Sequence, residues 1–133
     1  MKLTPDAYCM FLGHPRSGHS LVGALIDAHP DAVVAHELDA LEWIEHGATR
    51  DELFAALVDR SEEFTRAGRR WVGYRYAVPG GWHGRTRTLR LIGDKKGGNS
   101  SRRLLRRPQL LNELRTTVAL PLHVIQVTRH PLD

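Results

Sequence analysis

The segment of residues 13–20 combines residue types that bind anions, and it follows an apolar run at residues 8–12. Successive backbone N–H groups at the start of a helix converge on an anion, and the helix dipole adds to the attraction. Two glycines allow a tight turn, while Arg16, Ser17 and Ser20 supply further donors. We therefore expect this segment to bind a phosphate-type anion.

The spacing of this segment is close to that of a P-loop, G-x-x-x-x-G-K-[ST], which holds the phosphates of a nucleotide. His19 stands at the position of the P-loop lysine. Because that lysine contacts the β- and γ-phosphates, we do not expect ordinary ATP hydrolysis. A kinase-like nucleotide-binding protein remains the alternative interpretation, and a plain glycine turn before a helix is the simplest one.

Apolar periodicity predicts the elements that would position these groups. Strands are expected at residues 8–12, 32–35, 71–78, 86–92 and 122–127, and helices at residues 17–28, 38–46, 49–67 and 100–116. Thr49 and Glu52 form a capping box, and Pro108 should kink or split the last helix. Continuous apolar strands between amphipathic helices are typical of an α/β protein with a parallel sheet, in which ligands bind beyond the carboxyl ends of the strands.

Three segments resemble motifs of the sulfotransferase family, in its bacterial type. Residues 15–20 resemble its 5′-phosphosulfate-binding loop, P-[KR]-S-G-[ST]-[ST], and residues 93–95 resemble a lysine-bearing segment of bacterial and Golgi-type members. Residues 127–133 resemble the segment R-[ND]-P-x-D, whose arginine binds the 3′-phosphate of the donor nucleotide. His130 replaces the usual Asn or Asp there. The resemblance spans residues 8–133.

This resemblance implies a P-loop-like parallel β-sheet in a three-layer α/β/α fold. It also implies an enzyme that transfers a sulfuryl group from 3′-phosphoadenosine 5′-phosphosulfate (PAPS) to a hydroxyl or amine by in-line displacement. The donor-binding residues would be Pro15, Arg16, Ser17, Gly18, His19, Ser20 and Arg129. Arg16 and Lys95 would be the cations near the transferring group, and Glu37 would be the general base, with His36 as the alternative base.

The resemblance implies no metal, and the histidines and the single cysteine show no metal-ligand spacing. The family carries a further serine about eight residues beyond the arginine that matches Arg129, and then an adenine-side loop. Both would fall after Asp133. We therefore expect residues 1–133 to be the N-terminal portion of a single sulfotransferase-like domain.

The distribution of charge along the chain indicates which kinds of partner the protein could bind. Residues 1–65 carry 4 basic and 12 acidic residues, whereas residues 66–133 carry 15 basic and 3 acidic residues. A basic half is typical of proteins with polyanionic partners, and Arg102, Arg103, Arg106 and Arg107 share one predicted helix face. A nucleic-acid-binding module is the third hypothesis, after a sulfotransferase and a kinase-like nucleotide-binding protein. The expected partners are a nucleotide donor and an acceptor that the sequence does not identify.

Apolar runs in the sequence are too short to span a bilayer. The single cysteine, Cys9, cannot form an internal disulfide, which favours a reducing compartment such as the cytoplasm. Four aromatic residues surround the turn at residues 79–81, namely Trp71, Tyr74, Tyr76 and Trp82. Such rings could stack on an acceptor, although packing is the commoner role.

Overall fold

A computed structural model describes residues 3–14, 18–130 and 132 of the chain. In chain order the elements are β1 (Ala7–Leu12), α1 (His19–Asp27), β2 (Ala32–His36), α2 (Ala40–Glu45), α3 (Arg50–Arg66), β3 (Arg70–Trp71), β4 (Tyr74–Arg75), β5 (Leu91–Lys95), α4 (Gly97–Arg106), α5 (Leu110–Val118) and β6 (Leu122–Gln126). The predicted α/β class, with a parallel sheet flanked by helices, is confirmed.

Four parallel strands form the main sheet, in the order β2-β5-β1-β6. The chain leaves central β1 for β2 on one side of the sheet and later returns to its other side as β6. A crevice therefore opens beyond the carboxyl end of β1, where such sheets bind ligands. Gly93 of β5 pairs with Cys9 of β1, and a Cβ at Gly93 would collide with the Cys9 carbonyl oxygen.

Alternating side chains of the strands build a core on each face of the sheet. On one face, Tyr8 and Met10 pack with Val33 and Ile92 against α2, α3 and α5. On the other face, Cys9, Phe11 and Val34 form a smaller cluster with apolar residues of α1. The capping box of α3 is present, since the Thr49 hydroxyl accepts from the Glu52 amide and the Glu52 carboxylate from the Thr49 amide.

The sequence predicts one apolar face on the first helix, formed by Leu21, Val22, Leu25 and Ile26, and this face is only partly buried. Val22 and Ile26 pack against the sheet, but Leu21 and Leu25 are more than half exposed. The closest contacts of α1 are instead made by its small and polar side, which buries Gly23, Ala24 and Asp27. The periodicity located the helix correctly but misassigned its inward side, because a glycine and an alanine allow a closer approach to the sheet.

Other predicted elements needed correction. Residues 71–78 are not one strand, because β3 and β4 form a short antiparallel hairpin apart from the main sheet. The strand expected at residues 86–92 lies at Leu91–Lys95, so Asp94 and Lys95 belong to the strand itself. The helix expected at residues 100–116 begins at Gly97 and is divided into α4 and α5 around Pro108.

The last strand is placed correctly but is not a buried one. β6 pairs only with β1, at the edge of the described sheet, and most of its side chains are exposed. Among the described residues, no helix combines the length and the apolar character that a bilayer crossing requires.

Candidate functional site

The carboxyl edge of the sheet brings Lys95, Glu37 and Ser20 into direct contact. His36 at the end of β2 pairs with Lys95 of β5, and the Glu37 amide donates to the Lys95 carbonyl at 2.9 Å. The Lys95 side chain then donates to Ser20 Oγ at 2.9 Å and to Glu37 Oε1. One ammonium group therefore links the start of α1 to the end of β2.

Glu37 is held by two lysines. Lys95 binds Oε1, and Lys96 Nζ lies 2.7 Å from Oε2. Burial raises the pKa of Glu37, but hydrogen bonds and charges from both lysines outweigh burial and leave the pKa below its ordinary value. The group is therefore an ionised carboxylate at neutral pH, able to accept a proton but a weak base while both lysines contact it.

Gly23 of α1 makes room for Lys95. A Cβ at Gly23 would lie 3.1 Å from Lys95 Cγ and 3.2 Å from its Cβ, so the lysine stem crosses the helix where a side chain is missing. Lys95 is only 4% exposed, and its stem is enclosed while the ammonium group reaches Ser20. An enclosed stem lowers the rotamer freedom of a long side chain and fixes where its charge lies.

Asp94 positions the turn that carries Glu37. Its buried carboxylate accepts from the amides of Leu38 at 3.0 Å and Ala40 at 2.9 Å. Burial raises the pKa of Asp94 to about 6 against the opposing effect of those backbone hydrogen bonds. Glu37 and Asp39 both adopt left-handed backbone conformations, with φ of 61° and 68°. Non-glycine residues in this region require support from their surroundings, and Asp94 supplies it.

The His19 ring packs against backbone that follows the carboxyl ends of β1 and β5. The ring lies beside Gly97 and Gly13, close enough that a Cβ on either would crowd it, and it meets Phe11 edge-on. Burial and the nearby charge of Lys95 hold the pKa of His19 below its ordinary value. His19 is therefore a neutral, largely buried ring at neutral pH.

A cavity of about 540 Å³ opens in front of these residues. Its described lining is Gly18, His19, Ser20, Trp71, Val72, Tyr74, Tyr76 and Arg129. One wall is the start of α1, and the opposite wall is the β3–β4 hairpin. Four residues expected to bind the donor, Gly18, His19, Ser20 and Arg129, thus line one cavity, and Ser20 connects it to Lys95 and Glu37.

Pro15, Arg16 and Ser17 lie outside the described residues. Their expected roles at the donor stay predictions.

His36 lies behind the hairpin wall. Its ring stacks on Phe64 with a centroid distance of 4.2 Å, and it meets Trp71 edge-on at 5.0 Å. Nε2 is buried and has no hydrogen-bond partner among the described residues. Burial and the charge of Lys95 lower the pKa of His36 to about 3. A ring so enclosed is poorly placed to take a proton from a substrate.

The arginine-rich helix α4 is not one uniformly solvated basic face. Arg103 binds Asp39 through paired hydrogen bonds of 3.0 and 2.6 Å and also lies near Glu42 and Glu45. Arg107 pairs with Glu113 at 2.6 Å. Arg102 and Arg106 remain exposed.

No group of three or more metal-ligating side chains occurs within residues 3–14, 18–130 and 132. Cys9 is buried, and its pKa is raised to about 12 by burial and the nearby Asp94 charge. Its thiol is therefore unreactive at neutral pH.

Sequence reasoning assigned no role to two residues that shape the site. Asp27 is fully buried and accepts from Ser61 Oγ, the Val34 amide and Arg69, which anchors the chain just before the hairpin. The available signal was that Asp27 is the one acidic residue among the mostly apolar residues of α1. Gly23 had no such signal, because a glycine inside a helix does not reveal which side chain will cross it.

No protein-family model matches the chain, and no curated protein is significantly similar to it. Evidence for a function therefore comes from the contacts among Ser20, Lys95 and Glu37 at the carboxyl edge of the sheet.

Proposed function

We propose that the protein binds a phosphosulfate nucleotide at the carboxyl edge of β1 and transfers its sulfuryl group to a hydroxyl acceptor. The observation that carries the proposal is the bridge from Ser20 through Lys95 to Glu37 beside the cavity. It brings a helix start, a cation and a carboxylate together where parallel sheets bind nucleotides.

Each group fits one requirement of an in-line displacement. Backbone amides at residues 18–20, with Arg16, would hold the leaving phosphate. Lys95 would neutralise charge that develops on the bridging oxygen, which is the larger part of catalysis in group transfer between oxyanions. The acceptor oxygen forms a bond to sulfur, the bond from sulfur to the phosphate oxygen breaks, and the acceptor proton passes to Glu37.

Glu37 is the better base of the two candidates. It is connected to the cavity through Lys95 and Ser20, whereas the His36 ring is enclosed by Phe64 and Trp71. Arg129 lines the same cavity and would bind the 3′-phosphate of the nucleotide. This contact would make the protein prefer a 3′-phosphorylated nucleotide over ATP, because ATP has no 3′-phosphate.

The test measures the melting temperature with and without 3′-phosphoadenosine 5′-phosphate, the nucleotide product. A hundredfold excess over Kd adds about 2.7 kcal/mol to the free energy of unfolding, a rise of roughly 10 °C for a chain of this size. Lys95→Met should remove most of the rise and lower sulfuryl transfer by about a hundredfold or more.

Lys96→Met is the matched control, because Lys96 contacts Glu37 but not Ser20. It should keep most of the nucleotide-induced rise. No rise at millimolar nucleotide in the unsubstituted protein would refute the proposal. A rise with magnesium and ATP that is independent of the 3′-phosphate would instead support the kinase-like alternative.

A further inference from the structure

Ser101 of α4 contacts the start of the segment at residues 13–20. The Gly13 amide donates to Ser101 Oγ at 2.9 Å, although the two residues are 88 positions apart in the chain. Gly13 directly follows β1 and has a φ of 129°, which favours glycine because it has no Cβ. The hydrogen bond to Ser101 therefore holds the backbone at the point where the chain turns away from the sheet.

The Ser101 hydroxyl can accept from Gly13 because its own proton has a separate partner. A hydroxyl has one proton and two lone pairs. Ser101 Oγ donates to the Gly97 carbonyl at 3.1 Å, one turn earlier in α4, which is a bond that serines inside helices often make. A side chain without a hydroxyl would leave the Gly13 amide without its acceptor.

The His19 ring links the position of Gly13 to the start of α1. A Cβ on Gly13 would lie 3.2 Å from His19 Nε2, and a Cβ on Gly97 would collide with the same ring. The ring is therefore enclosed between two glycines, and one of them is the residue that Ser101 holds. Because His19 is the first residue of α1, a displacement of Gly13 would also move the backbone amides at the start of that helix.

The support that Ser101 provides is fixed, because α4 is bound to a neighbouring helix. Arg103, two residues beyond Ser101, binds both carboxylate oxygens of Asp39, at 3.0 Å from Nε to Oδ1 and 2.6 Å from Nη2 to Oδ2. Asp39 directly precedes α2, so this ion pair joins α4 to α2. Both side chains are largely buried, and water and salt screen such a pair less than an exposed one.

Lys95 holds the opposite end of the same segment. Its ammonium group donates to Ser20 Oγ at 2.9 Å, and Lys95 lies two residues before α4. Residues 95–101 thus form hydrogen bonds to both Gly13 and Ser20, at the two ends of the segment. A loop that is ordered only on binding loses conformational entropy and therefore affinity, whereas a loop that is already held in place loses less.

We propose that Ser101 is a positioning residue for the 5′-phosphate of the donor nucleotide, and that it acts through the backbone of Gly13 and the start of α1. This inference rests on the proposed function, in which the amides at residues 18–20 hold that phosphate and Arg129 binds the 3′-phosphate. Loss of the Ser101 hydroxyl should therefore weaken contacts to the 5′-phosphate and leave contacts to the 3′-phosphate unchanged.

The experiment measures by calorimetry the Kd of 3′-phosphoadenosine 5′-phosphate and of adenosine 3′-monophosphate, which has no 5′-phosphate. Ser101→Val and Ser101→Thr form a matched pair, because their side chains have nearly the same shape and only threonine has a hydroxyl. We expect Ser101→Val to raise the Kd of the bisphosphate by about tenfold, through the lost hydrogen bond and the lost preorganisation. The Kd of the monophosphate should not change. Ser101→Thr should bind both nucleotides as the unsubstituted protein does.

Hydrogen exchange at the Gly13 amide, followed by NMR on the unliganded protein, tests the contact itself. The amide should exchange slowly in the unsubstituted protein and in Ser101→Thr, and about tenfold faster or more in Ser101→Val. Ser101→Ala removes the hydroxyl without adding an atom. It should match Ser101→Val in both measurements, so a packing defect from the branched side chain does not obscure the result.

The inference is wrong if Ser101→Val and Ser101→Ala keep the Kd of the bisphosphate, if they lose affinity for both nucleotides equally, if Ser101→Thr binds as weakly as Ser101→Val, or if exchange at Gly13 is unchanged. An equal loss for both nucleotides would indicate a general structural defect. If the unsubstituted protein does not bind the bisphosphate, the proposed function is wrong and the inference fails with it. If all the proteins bind the bisphosphate with one Kd, only the role of Ser101 is wrong.

Discussion

At the scale of single residues, the site depends on charges and rings whose surroundings change their chemistry. Glu37 and His36 are neighbours in sequence, yet one pairs with two lysines and the other stacks on Phe64. The pKa of each group lies below its ordinary value, but for opposite reasons: cations outweigh burial for Glu37, while burial dominates for His36. His36 is the last residue of β2, whereas Glu37 follows the strand in a left-handed backbone conformation, so the two side chains meet different surroundings.

His36→Phe should make stability less sensitive to acid. The pKa of His36 is about 3 in the folded protein and about 6.5 when the chain unfolds. Between these values the unfolded chain binds the extra proton, so stability is lost as the pH falls from about 6.5 toward 3. Phenylalanine cannot bind a proton, so this pH dependence of stability is lost. It also removes the buried Nε2, and a buried polar atom without a partner lowers the free energy of unfolding by about 1–3 kcal/mol.

The measurement is the melting temperature of both proteins from pH 8 to pH 4. His36→Phe should equal or exceed the unsubstituted protein at pH 7, and the gap should widen as the pH falls. Titration of His19 and Glu37 is common to both proteins and cancels in the difference. Parallel curves would show that His36 does not titrate as its burial requires.

At the scale of elements, a buried polar network centred on Asp27 links the residues that flank the hairpin to α1 and α3. Asp27 at the end of α1 accepts from Ser61 of α3 at 2.9 Å and from Arg69, just before β3, at 3.1 Å. His83, beyond the hairpin, approaches the same carboxylate at 3.4 Å and accepts from the Val78 amide at 2.8 Å. Side chains from three separate segments of the chain thus meet at one carboxylate.

Asp27→Asn should be strongly destabilising. It leaves the nearly fully buried Arg69 without its counter-charge, and removing one partner of a buried pair costs about 3–5 kcal/mol. Asp31→Asn is the control, because Asp31 pairs with the mostly exposed Arg87 and such surface pairs contribute about 1 kcal/mol or less. Urea denaturation of both variants gives the comparison, and similar losses in the two would contradict the role of Asp27.

At the scale of the whole molecule, the basic half of the chain folds onto the acidic half. Lys95 and Lys96, at the end of β5, bind Glu37. Arg103 binds Asp39, and Arg69 binds Asp27. The charge asymmetry of the sequence is therefore partly cancelled by contacts within the fold. This pairing reduces the basic surface left for a polyanion and weakens the hypothesis of a nucleic-acid-binding module.

We accordingly expect weak binding to nucleic acids. Titration of a 20-base-pair duplex and a single strand at 50 and 200 mM salt should show a shallow salt dependence, far from the thousandfold or greater loss of affinity expected for about six or more phosphate contacts. Micromolar binding with a steep salt dependence would restore the nucleic-acid hypothesis.

The amino-acid sequence by itself determined the order of most elements and the edge of the sheet that carries the polar residues. Apolar runs and capping residues act locally, so residues 8–12 and the Thr49–Glu52 box could be assigned without the fold. The tertiary structure alone decided that Lys95 crosses Gly23 to reach Ser20. Such contacts join residues about seventy positions apart, and no local pattern encodes which distant side chain will fill a given space.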